Sequence, residues 1–474
     1  MSALTPPAVR LPPLTQAVLL WRDPIGQLLK WKRRHGELFV LELPATGALV
    51  VVGESGAAQD LLVSDPRTSR TGVATGRVLP LLGPRCILRQ DGEAHRQRRR
   101  TLSPAFRPDA LAIRRDLIAA IADRELSHCV REQPTATLPT MQTIAFAVIT
   151  QLVLGAQDPG VVDRLQVAMR RLSSPAALAG TWTSPVADGW VRERMGQRWH
   201  GRRDGVNELL AQIVAERRSE RALDPTVSED GDVLDLLLDD TDMILDHPSL
   251  LVDDTGGIPG TDDDHRPSGA CPADAGMSDN DLTDELLALL MVGHETTASA
   301  LGWAVDRLAH DPEVARRLRE SVAEGDTTYL RAFIRELLRW RPPVIDAVRE
   351  LSEPTVVLGH ALPAATLVVV SPALIHHDPR VYTDPDAFRP ERFLTTDADD
   401  RPTVSARSHD WMPFGGGRRH CLGAELAQLE MEVVLSRLVQ SITVAPAHRH
   451  AARSRLHGTM VVPSRGSTAI LRSV

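Results

Sequence analysis

Residues 414–423, with the sequence FGGGRRHCLG, constrain this chain more than any other stretch. They place a single cysteine, Cys421, in a glycine-rich turn, with Phe414 seven residues before it, Arg419 two before it and Gly423 two after it. Glycine lacks a Cβ atom and so lets a flat macrocycle approach the backbone. Backbone N–H groups in such a turn can point at a thiolate and tune the metal that it binds. The stretch therefore predicts an iron-binding cysteine. The alternative is a buried structural cysteine beside a glycine-rich hairpin.

The spacing F-x-x-G-x-R-x-C-x-G resembles the haem-binding loop of the cytochrome P450 superfamily, the haem-thiolate monooxygenases. The resemblance implies that Cys421 binds the iron of haem b (iron protoporphyrin IX) as a thiolate. Four residues of the loop would surround the cofactor: Phe414, Gly417, Arg419 and Gly423. The resemblance also implies a mainly α fold with a smaller β-rich part (α+β), in which a long central helix lies over the haem.

A long helix is predicted to begin after Ser278, with Asp281 as its partner in a capping box. The helical spacing of apolar residues runs to about His310, before an Asp-Pro pair. Such a helix has roughly 33 residues and a length of about 50 Å at 1.5 Å per residue. A helix of this length favours one large α-rich domain spanning residues 1–474.

Residues 292–297 (VGHETT) on this helix resemble the family's oxygen-binding segment, A/G-G-x-D/E-T-T/S. The resemblance implies that Gly293 lets the helix distort and a ligand approach its backbone. Thr296 would hydrogen-bond dioxygen or water, and Glu295 would help to pass protons inward. Val292 stands where alanine or glycine is usual, so it would narrow the space above the haem. An ordinary buried helix that contains threonine is the alternative.

Glu336 and Arg339 match the family's E-x-x-R pattern, and a spacing of three puts both side chains on one helix face. Residues Pro390–Phe393 (PERF) supply Arg392 as the third member of the family's network. A buried glutamate between two arginines organises a core and takes no part in catalysis. The pair Glu336–Arg339 alone could equally be an exposed salt bridge.

Haem propionates are anions, and four residues match the cations that bind them in the family: His95, Arg99, Arg349 and Arg419. A planar guanidinium suits bidentate binding of a carboxylate. Only its spacing from His95 selects Arg99, because arginines also stand at positions 96, 98 and 100.

Those further arginines form a basic stretch in a chain whose net charge is −8. In the family this helix lies on the thiolate side of the haem, where the electron donor docks. The basic stretch therefore suggests an acidic partner, either a ferredoxin with its ferredoxin reductase or a flavodoxin. No G-x-G-x-x-G motif opens a βα unit, so the electron donor is expected to be a separate protein. A solvated helix face is the alternative.

The substrate pocket can be placed only by analogy with the family. The candidate segments are residues 70–85, 174–190, 344–348 and 458–461. The individual candidates are Leu289, Val292, Val344, Asp346, Val348 and Thr459. Asp346 is the one charged residue of its segment, and it would either anchor a substrate amine or hydroxyl or bond to the local backbone. Aromatic residues make up only 4% of the chain, which does not suggest an aromatic cage around the ligand.

Composition excludes several other classes of protein. The net charge of −8 argues against a nucleic-acid binder. The four cysteines are far apart with no CxxC pair, which disfavours zinc fingers and fits a reducing cytoplasm. No apolar run approaches the roughly 20 residues that span a bilayer. We therefore expect a soluble, cytoplasmic protein of the bacterial type, monomeric and without a membrane partner.

Three local expectations complete the prediction. Residues 240–277 are acidic and rich in glycine and proline, and are expected to form a mobile surface insertion. Residues 66–86 are expected to form a long loop. The C-terminus from His457 is expected to form a hairpin with its turn at residues 463–466.

Together the motifs predict a monooxygenase that activates O2 with two electrons from a partner and hydroxylates a small organic substrate. The same site could instead run epoxidation, oxidative coupling or desaturation. A haem protein that only binds a ligand or a gas is a rival from another class, but it would have no need of Glu295 and Thr296. A peroxide-driven enzyme would usually replace Thr296.

Overall fold

The computed structural model describes most of the chain. Described are residues 5–44, 46–65, 67–79, 82–129, 131–155, 158–172, 189–223, 232–246, 277–396, 402–404 and 409–474, without the side chains of 189–200 and 240–246. Most of the candidate substrate segment 174–190 and most of the predicted insertion at 240–277 lie outside these residues.

The described residues are mainly helical. The α-helices are α1 (Pro13–Arg22), α2 (Pro24–His35), α3 (Ser55–Val63), α4 (Thr71–Val78), α5 (Gly92–Leu102), α6 (Pro108–Ala112), α7 (Arg115–Ser127), α8 (Leu138–Leu154), α9 (Pro159–Leu172), α10 (Gly189–Leu223), α11 (Val233–Asp246), α12 (Asp279–His310), α13 (Pro312–Ala323), α14 (Thr328–Trp340), α15 (Pro372–His376) and α16 (Ala424–Ser441). Short 3-10 helices cover Ser103–Phe106, Pro390–Phe393 and Gly417–Arg419.

The strands are fewer and shorter. They are β1 (Leu38–Leu43), β2 (Gly47–Val52), β3 (Ser69–Arg70), β4 (Pro134–Ala136), β5 (Ala347–Leu351), β6 (Thr355–Val357), β7 (His360–Leu362), β8 (Leu367–Val370), β9 (Leu394–Thr396), β10 (Pro402–Val404), β11 (Ile442–Pro446), β12 (Ser454–His457), β13 (Met460–Pro463) and β14 (Thr468–Ser473). The mainly α architecture with a smaller β-rich part is as predicted.

The predicted long helix is α12, and its start is confirmed. The Ser278 side chain accepts a hydrogen bond from the Asp281 N–H, while the Asp281 carboxylate accepts one from the Ser278 N–H, which completes the capping box. The helix ends at Asp311, whose side chain caps the following helix α13. Most of the side chains of α12 are buried, and its most extensive contact is with α8. A helix that is buried nearly all round belongs at the centre of a large core.

The main sheet has five strands in the order β1-β2-β8-β5-β3. β1 and β2 form a hairpin, with Leu38 opposite Val52. β2 pairs in parallel with β8, and β8 pairs antiparallel with β5 so that Arg349 lies opposite Val368. The sheet thereby fixes the position of one of the predicted cofactor-binding cations.

Residues 66–86 were predicted to form a loop, but they contain helix α4. The carboxylate of Asp91 accepts hydrogen bonds from the N–H groups of Thr71, Gly72 and Val73, so it caps the helix from about 20 residues downstream. A cap supplied from such a distance leaves no local start signal in the sequence. The prediction was wrong for this reason.

The C-terminal hairpin was predicted with the wrong turn. The hairpin consists of β12 and β13, with His457 opposite Met460, so its turn lies at residues 458–459. After the predicted turn at 463–466 the chain does not return to β13; β14 pairs with β11 and β4 instead. The predicted insertion also begins too early, since the backbone of α11 continues to Asp246. Among the described residues, no single helix is long and apolar enough to cross a membrane, and only the bent pair of α8 and α9 has the length and composition together.

Glu336 is fully buried at the centre of a network of hydrogen bonds. Its carboxylate accepts from Arg339 Nε at 2.7 Å, from Arg392 Nε at 3.1 Å and from the Arg389 backbone N–H at 2.7 Å. Arg339 in turn donates to three backbone carbonyls, those of His376, Pro385 and Ala387. The network therefore binds α14 to the irregular segment that leads to the cysteine loop.

We expect Glu336→Gln to lower the free energy of unfolding by about 3 kcal/mol or more, because it leaves two buried arginines without their counter-charge. Urea denaturation followed by far-UV circular dichroism measures this change. Glu313→Gln is the control, since that carboxylate forms an exposed pair with Arg316 and should leave the midpoint unchanged. Equal midpoints for the two variants would contradict the central role of Glu336.

Candidate active site

The loop around Cys421 is shaped by backbone hydrogen bonds and by one required glycine. The Cys421 N–H donates to the Phe414 carbonyl at 3.0 Å, and the Gly423 N–H points at the Cys421 sulfur. Gly417 has φ +62°, and a Cβ atom there would lie 2.1 Å from the Leu62 carbonyl oxygen. Only glycine therefore lets the loop pack against the end of α3.

The sulfur of Cys421 lies deep in the protein yet is open to solvent. Burial raises the pKa of the thiol, against the opposing effects of the Gly423 N–H and the Arg99 guanidinium. The side chain nevertheless keeps accessible surface. A metal ion bound there would offset the cost of ionising the thiol.

Helix α12 has an accessible band in the middle of its buried length. Met291, Val292, Gly293 and Thr296 keep accessible surface, whereas the residues on either side along the helix are buried. Val292 and Thr296 are four residues apart and so share one face. Thr296 Oγ1 donates to the Val292 carbonyl at 3.1 Å, which leaves the lone pairs of its oxygen for another donor.

Glu295 points away from this band. Its carboxylate accepts a hydrogen bond from Gln142 Nε2 of α8 at 3.0 Å and contacts His294 Nε2 at 3.3 Å. Burial by itself would raise the pKa of Glu295, but His294, Gln142 and the more distant His457 together lower it to about 2. Glu295 is therefore an ionised group at neutral pH, held between two helices.

His294 completes this arrangement. Its Nδ1 lies 2.6 Å from the Leu290 carbonyl, and its Nε2 faces Glu295. Both ring nitrogens thus lie close to oxygen atoms, which fixes the orientation of the ring. The Phe146 ring packs edge-on against the imidazole at 5.3 Å between centroids.

Gly293 has a role in packing that the sequence did not indicate. A Cβ atom at this position would lie 2.6 Å from Ile149 Cγ1 of α8. The glycine therefore lets α12 and α8 approach closely, which in turn brings Gln142 within reach of Glu295. Its backbone also keeps accessible surface, so access for a ligand and close helix packing meet at one residue.

The four predicted cations lie together. Burial lowers the pKa of His95 to about 4, with further lowering by Arg419 and Arg99. Burial lowers the pKa of Arg349 to about 10, with Arg419 again contributing. Such mutual repulsion shows that the groups share one region, and an anion placed there would relieve it.

Among the described contacts, Arg99 and Arg349 each donate through a single Nη atom. Arg99 Nη1 donates to the His420 carbonyl at 2.8 Å, which ties α5 to the cysteine loop. Among the described contacts, Arg349 donates only to the Val348 carbonyl, although it is buried. Arg419 is engaged by Asp91, at 2.6 Å. A bound anion would therefore find free donors on Arg349 and would compete with Asp91 for Arg419.

Sequence reasoning missed Asp91, His294 and Gln142. Asp91 caps α4 and pairs with Arg419, and its only sequence signal was its position four residues before His95. Gln142 carried no signal at all, because its contact with Glu295 spans 153 residues of sequence.

The structure leaves some of the substrate-pocket candidates accessible and buries others. Val344, Asp346 and Val348 keep accessible surface, while Ile345 between them is buried. Leu289 is buried and contributes almost no accessible surface. Thr459 lies in the turn between β12 and β13 and keeps accessible surface.

Val461 joins three of the elements around these residues through its backbone carbonyl and N–H groups. The Val461 carbonyl of β13 accepts from Ser299 Oγ at 2.6 Å and from Trp303 Nε1 at 3.0 Å, both on α12. The Val461 N–H donates to the Pro343 carbonyl at 2.8 Å. The hairpin, α12 and the segment after α14 therefore meet next to the accessible band.

Comparison with known proteins decides the family. The family model described as cytochrome P450 matches residues 6–470. The chain belongs to the cytochrome P450 family. Cytochrome P450 135B1 of Mycobacterium tuberculosis is 32% identical over 476 residues, covering 99% of this chain and 91% of that protein. Cytochrome P450 138 of Mycobacterium bovis is 31% identical over 474 residues, covering 98% and 96%.

Solved structures agree on the fold of this cytochrome P450. The retinoic acid-bound cyanobacterial CYP120A1 is similar with a TM-score of 0.75 and 24% identity over the whole of both chains. The cytochrome P450DA heme domain is similar with a TM-score of 0.76 and 18% identity, covering 100% of this chain and 98% of that one. The P450 fold is confirmed, and the chain is a haem-containing monooxygenase of the oxidoreductase class.

We expect Gly417→Ala to reduce haem content and thermal stability, because the added Cβ meets the Leu62 carbonyl as well as an unfavourable positive φ. The ratio of Soret to protein absorbance and the melting temperature measure the two effects. Gly415→Ala is the matched control, since Gly415 also has a positive φ, +67°, but no protein atom within 4 Å of the added Cβ. If both variants lose haem equally, the contact with Leu62 is not what requires glycine.

Proposed function

We propose that this cytochrome P450 hydroxylates a small organic substrate, with O2 and two electrons from a separate donor protein. Cys421 is the proposed thiolate ligand of haem b. The observation that carries the proposal is the deep but accessible sulfur of Cys421, next to a cluster of buried cations and within a fold whose central helix exposes Thr296.

The residues present fit haem b. A flat dianionic macrocycle needs one axial donor, room beside the backbone and cations for its propionates. Cys421 supplies the donor, and Arg99, Arg349 and Arg419 supply the cations. His95, whose pKa of about 4 leaves it neutral at pH 7, supplies a hydrogen-bond donor beside them. When bound, the haem iron supplies the reductive activation of dioxygen.

The proton path is proposed to use Thr296 and Glu295 in different places. Thr296 holds water or substrate oxygen at the accessible band, since its own hydroxyl proton is given to Val292. Glu295 keeps a negative charge on the side of the helix that faces α8, where it lies 3.3 Å from His294 Nε2. The Glu295 charge then orders water that carries protons toward Thr296.

The electron donor is proposed to be an acidic ferredoxin or flavodoxin. Of the arginines in the predicted basic stretch, Arg96 and Arg100 are exposed, while Arg98 turns inward with its Nε 3.6 Å from Glu285. Arg418 is exposed in the cysteine loop, which α5 contacts through Arg99. Positive charge on both elements next to the thiolate favours an acidic partner at this surface.

The reduced, carbon monoxide-bound difference spectrum of purified protein tests the ligand assignment. We expect a red-shifted Soret band typical of thiolate ligation, lost in Cys421→Ala. Cys86→Ala is the control, because that buried cysteine lies in a separate apolar cluster with Leu82 and Ala288 and should keep the band. A thiolate band that survives in Cys421→Ala would overturn the assignment. Turnover with a surrogate ferredoxin system separates an enzyme from a haem protein that only binds ligands.

We expect Thr296→Ala to keep the thiolate spectrum but to divert reducing equivalents to peroxide or water. The amount of product formed per NAD(P)H consumed should fall at least roughly tenfold, because a positioned proton donor contributes about 10²–10⁴-fold to the rate of such a step. The ratio of product formed to NAD(P)H consumed in the surrogate ferredoxin system measures this loss.

Thr283→Ala is the matched control. Thr283 lies on the same helix and also bonds a backbone carbonyl, that of Asn280, but it is buried outside the accessible band. Full coupling in Thr296→Ala would show that the hydroxyl has no part in proton delivery.

A further inference from the structure

Helix α1 carries apolar side chains on its outer face. Leu14, Val18 and Trp21 are spaced by four and three residues, so they share one face of the helix. They are 50%, 52% and 47% exposed, and Leu11 just before the helix is exposed as well. Four of the twelve strongly exposed large apolar side chains among the described residues thus lie within eleven consecutive positions. We call these four residues the apolar stripe, and a group of this kind on a protein surface marks a site of interaction.

The helix cannot turn the apolar stripe inward, because its other face is already fixed. Gln16 is fully buried, and its Nε2 donates to the carbonyls of Val9 and Leu11 at 3.1 and 2.8 Å. Its Oε1 accepts from the Glu42 N–H of β1 at 3.0 Å. An amide therefore lies inside while leucine, valine and tryptophan lie outside, which is the reverse of an ordinary surface helix.

The segment that contains the apolar stripe is basic. Residues 1–36 hold six Lys and Arg residues and one acid, Asp23, a net charge of +5 in a chain whose net charge is −8. Asp23 is engaged as the N-cap of α2. Arg10 and Arg34 are exposed, and burial, Arg34 and Arg10 each lower the pKa of His35 at the end of α2. Cations from two parts of this segment therefore meet next to the start of the stripe.

A second basic segment reaches the other end of the apolar stripe. Residues 447–474 hold five arginines and no acid. Strand β12 of this segment packs against α1, where Ser454 Oγ donates to the Asp23 carboxylate at 2.8 Å. The Arg455 guanidinium lies 4.0 Å from the centre of the Trp21 ring. The fold thus brings positive charge to both ends of the stripe from segments that are far apart in sequence.

An anionic lipid bilayer fits this surface better than a second copy of the chain does. A second copy would bring the same positive charges to the contact, and they would repel each other. Lipid phosphates match the guanidiniums, and tryptophan favours the level of the headgroups, where its ring meets apolar chains and its N–H meets water. A helix with an apolar face and basic residues beside it has the composition of an interfacial helix.

We propose that α1 is an interfacial helix that binds this face of the protein reversibly to an anionic bilayer. The apolar stripe enters the boundary between headgroups and acyl chains, and Arg10, Arg22 and Arg455 bind phosphates at its two ends. The sequence predicted no membrane partner because no apolar run is long enough to span a bilayer, and an interfacial helix needs no such run. The inference is independent of the proposed function, since it involves no residue of the haem site.

Co-sedimentation of the haem-loaded protein with sucrose-filled vesicles tests the proposal. Vesicles of phosphatidylcholine alone are compared with vesicles of an equal mixture of phosphatidylcholine and phosphatidylglycerol. The lipid concentration that binds half of the protein should be at least roughly tenfold lower for the anionic mixture, because several basic residues flank the apolar stripe. Raising the salt concentration from 0.1 M to 1 M shortens the Debye length from about 10 Å to about 3 Å and should weaken this binding.

The double variant Leu14→Ser with Val18→Ser should bind the anionic vesicles roughly tenfold or more weakly, because it removes several methyl and methylene groups that the bilayer would bury. Ile113→Ser is the matched control, since Ile113 is 79% exposed but lies between α6 and α7, outside both basic segments. It should bind like the wild type. All these substitutions leave the net charge unchanged, and the melting temperature reports whether each variant is folded. Val18→Ser alone, expected to weaken binding several-fold, decides the matter if the double variant does not fold.

Four outcomes would overturn the proposal. The wild type could fail to bind the anionic vesicles, or it could bind both kinds of vesicle equally. The double variant could bind as tightly as the wild type, which would place the lipid contact on another basic surface such as α5. Sedimentation velocity without lipid gives the fourth: a dimer that only the double variant loses would show that a second copy covers the apolar stripe.

Discussion

The cysteine loop depends on a buried charge far from it in sequence. Glu336 holds Arg339, which donates to the His376 carbonyl at 2.8 Å. His376 Nε2 accepts from the Met412 N–H, and the Met412 carbonyl accepts from the Gly415 N–H inside the loop. A continuous path of hydrogen bonds thus joins the centre of α14 to the turn that carries the thiol. The network is structural, yet the position of the thiol depends on it, because a connected set of buried hydrogen bonds favours one arrangement of the residues that form it.

Features that depend on neighbouring residues could be predicted from the sequence. The capping box of α12 is local, so Ser278 and Asp281 marked its start correctly. Helix α4 was missed because its cap, Asp91, lies far along the chain. The C-terminal hairpin failed for a related reason: Pro463 and Gly466 do form a turn, with a hydrogen bond between them, but β14 finds stronger partners in β11 and β4. Turn residues indicate where a chain bends, and they do not determine which strands pair.

The candidate site shows the same limit at the level of single side chains. Spacing predicted that His95 and Arg99 share a face, and both lie in the cation cluster. Spacing could not reveal that Glu295 turns toward α8 while Thr296 belongs to the accessible band. The orientation of these side chains depends on which side of α12 packs against its neighbour. Gly293 decides it: without a Cβ, α8 approaches closely enough for Gln142 to reach the carboxylate. The acid and the alcohol are adjacent in sequence but have different surroundings, because Glu295 contacts α8 and Thr296 keeps accessible surface.

The segment from Pro343 to Arg349 connects the C-terminal hairpin, through the Pro343 carbonyl, to the main sheet, through Arg349. Arg349 is fixed by its pairing with β8, so its position is set by the sheet and independent of any ligand. Asp346 lies before the first residue of β5 and takes no part in the strand pairing, so its identity can change without disturbing Arg349. The hairpin of β12 and β13 is similar. The Val461 carbonyl is bonded to α12, whereas Thr459 lies in the turn, outside the strand pairs, where a substitution would not disturb that bond. Backbone hydrogen bonds between strands fix the positions of β5, β8 and the C-terminal hairpin, so side chains outside these strand pairs can change without displacing the strands.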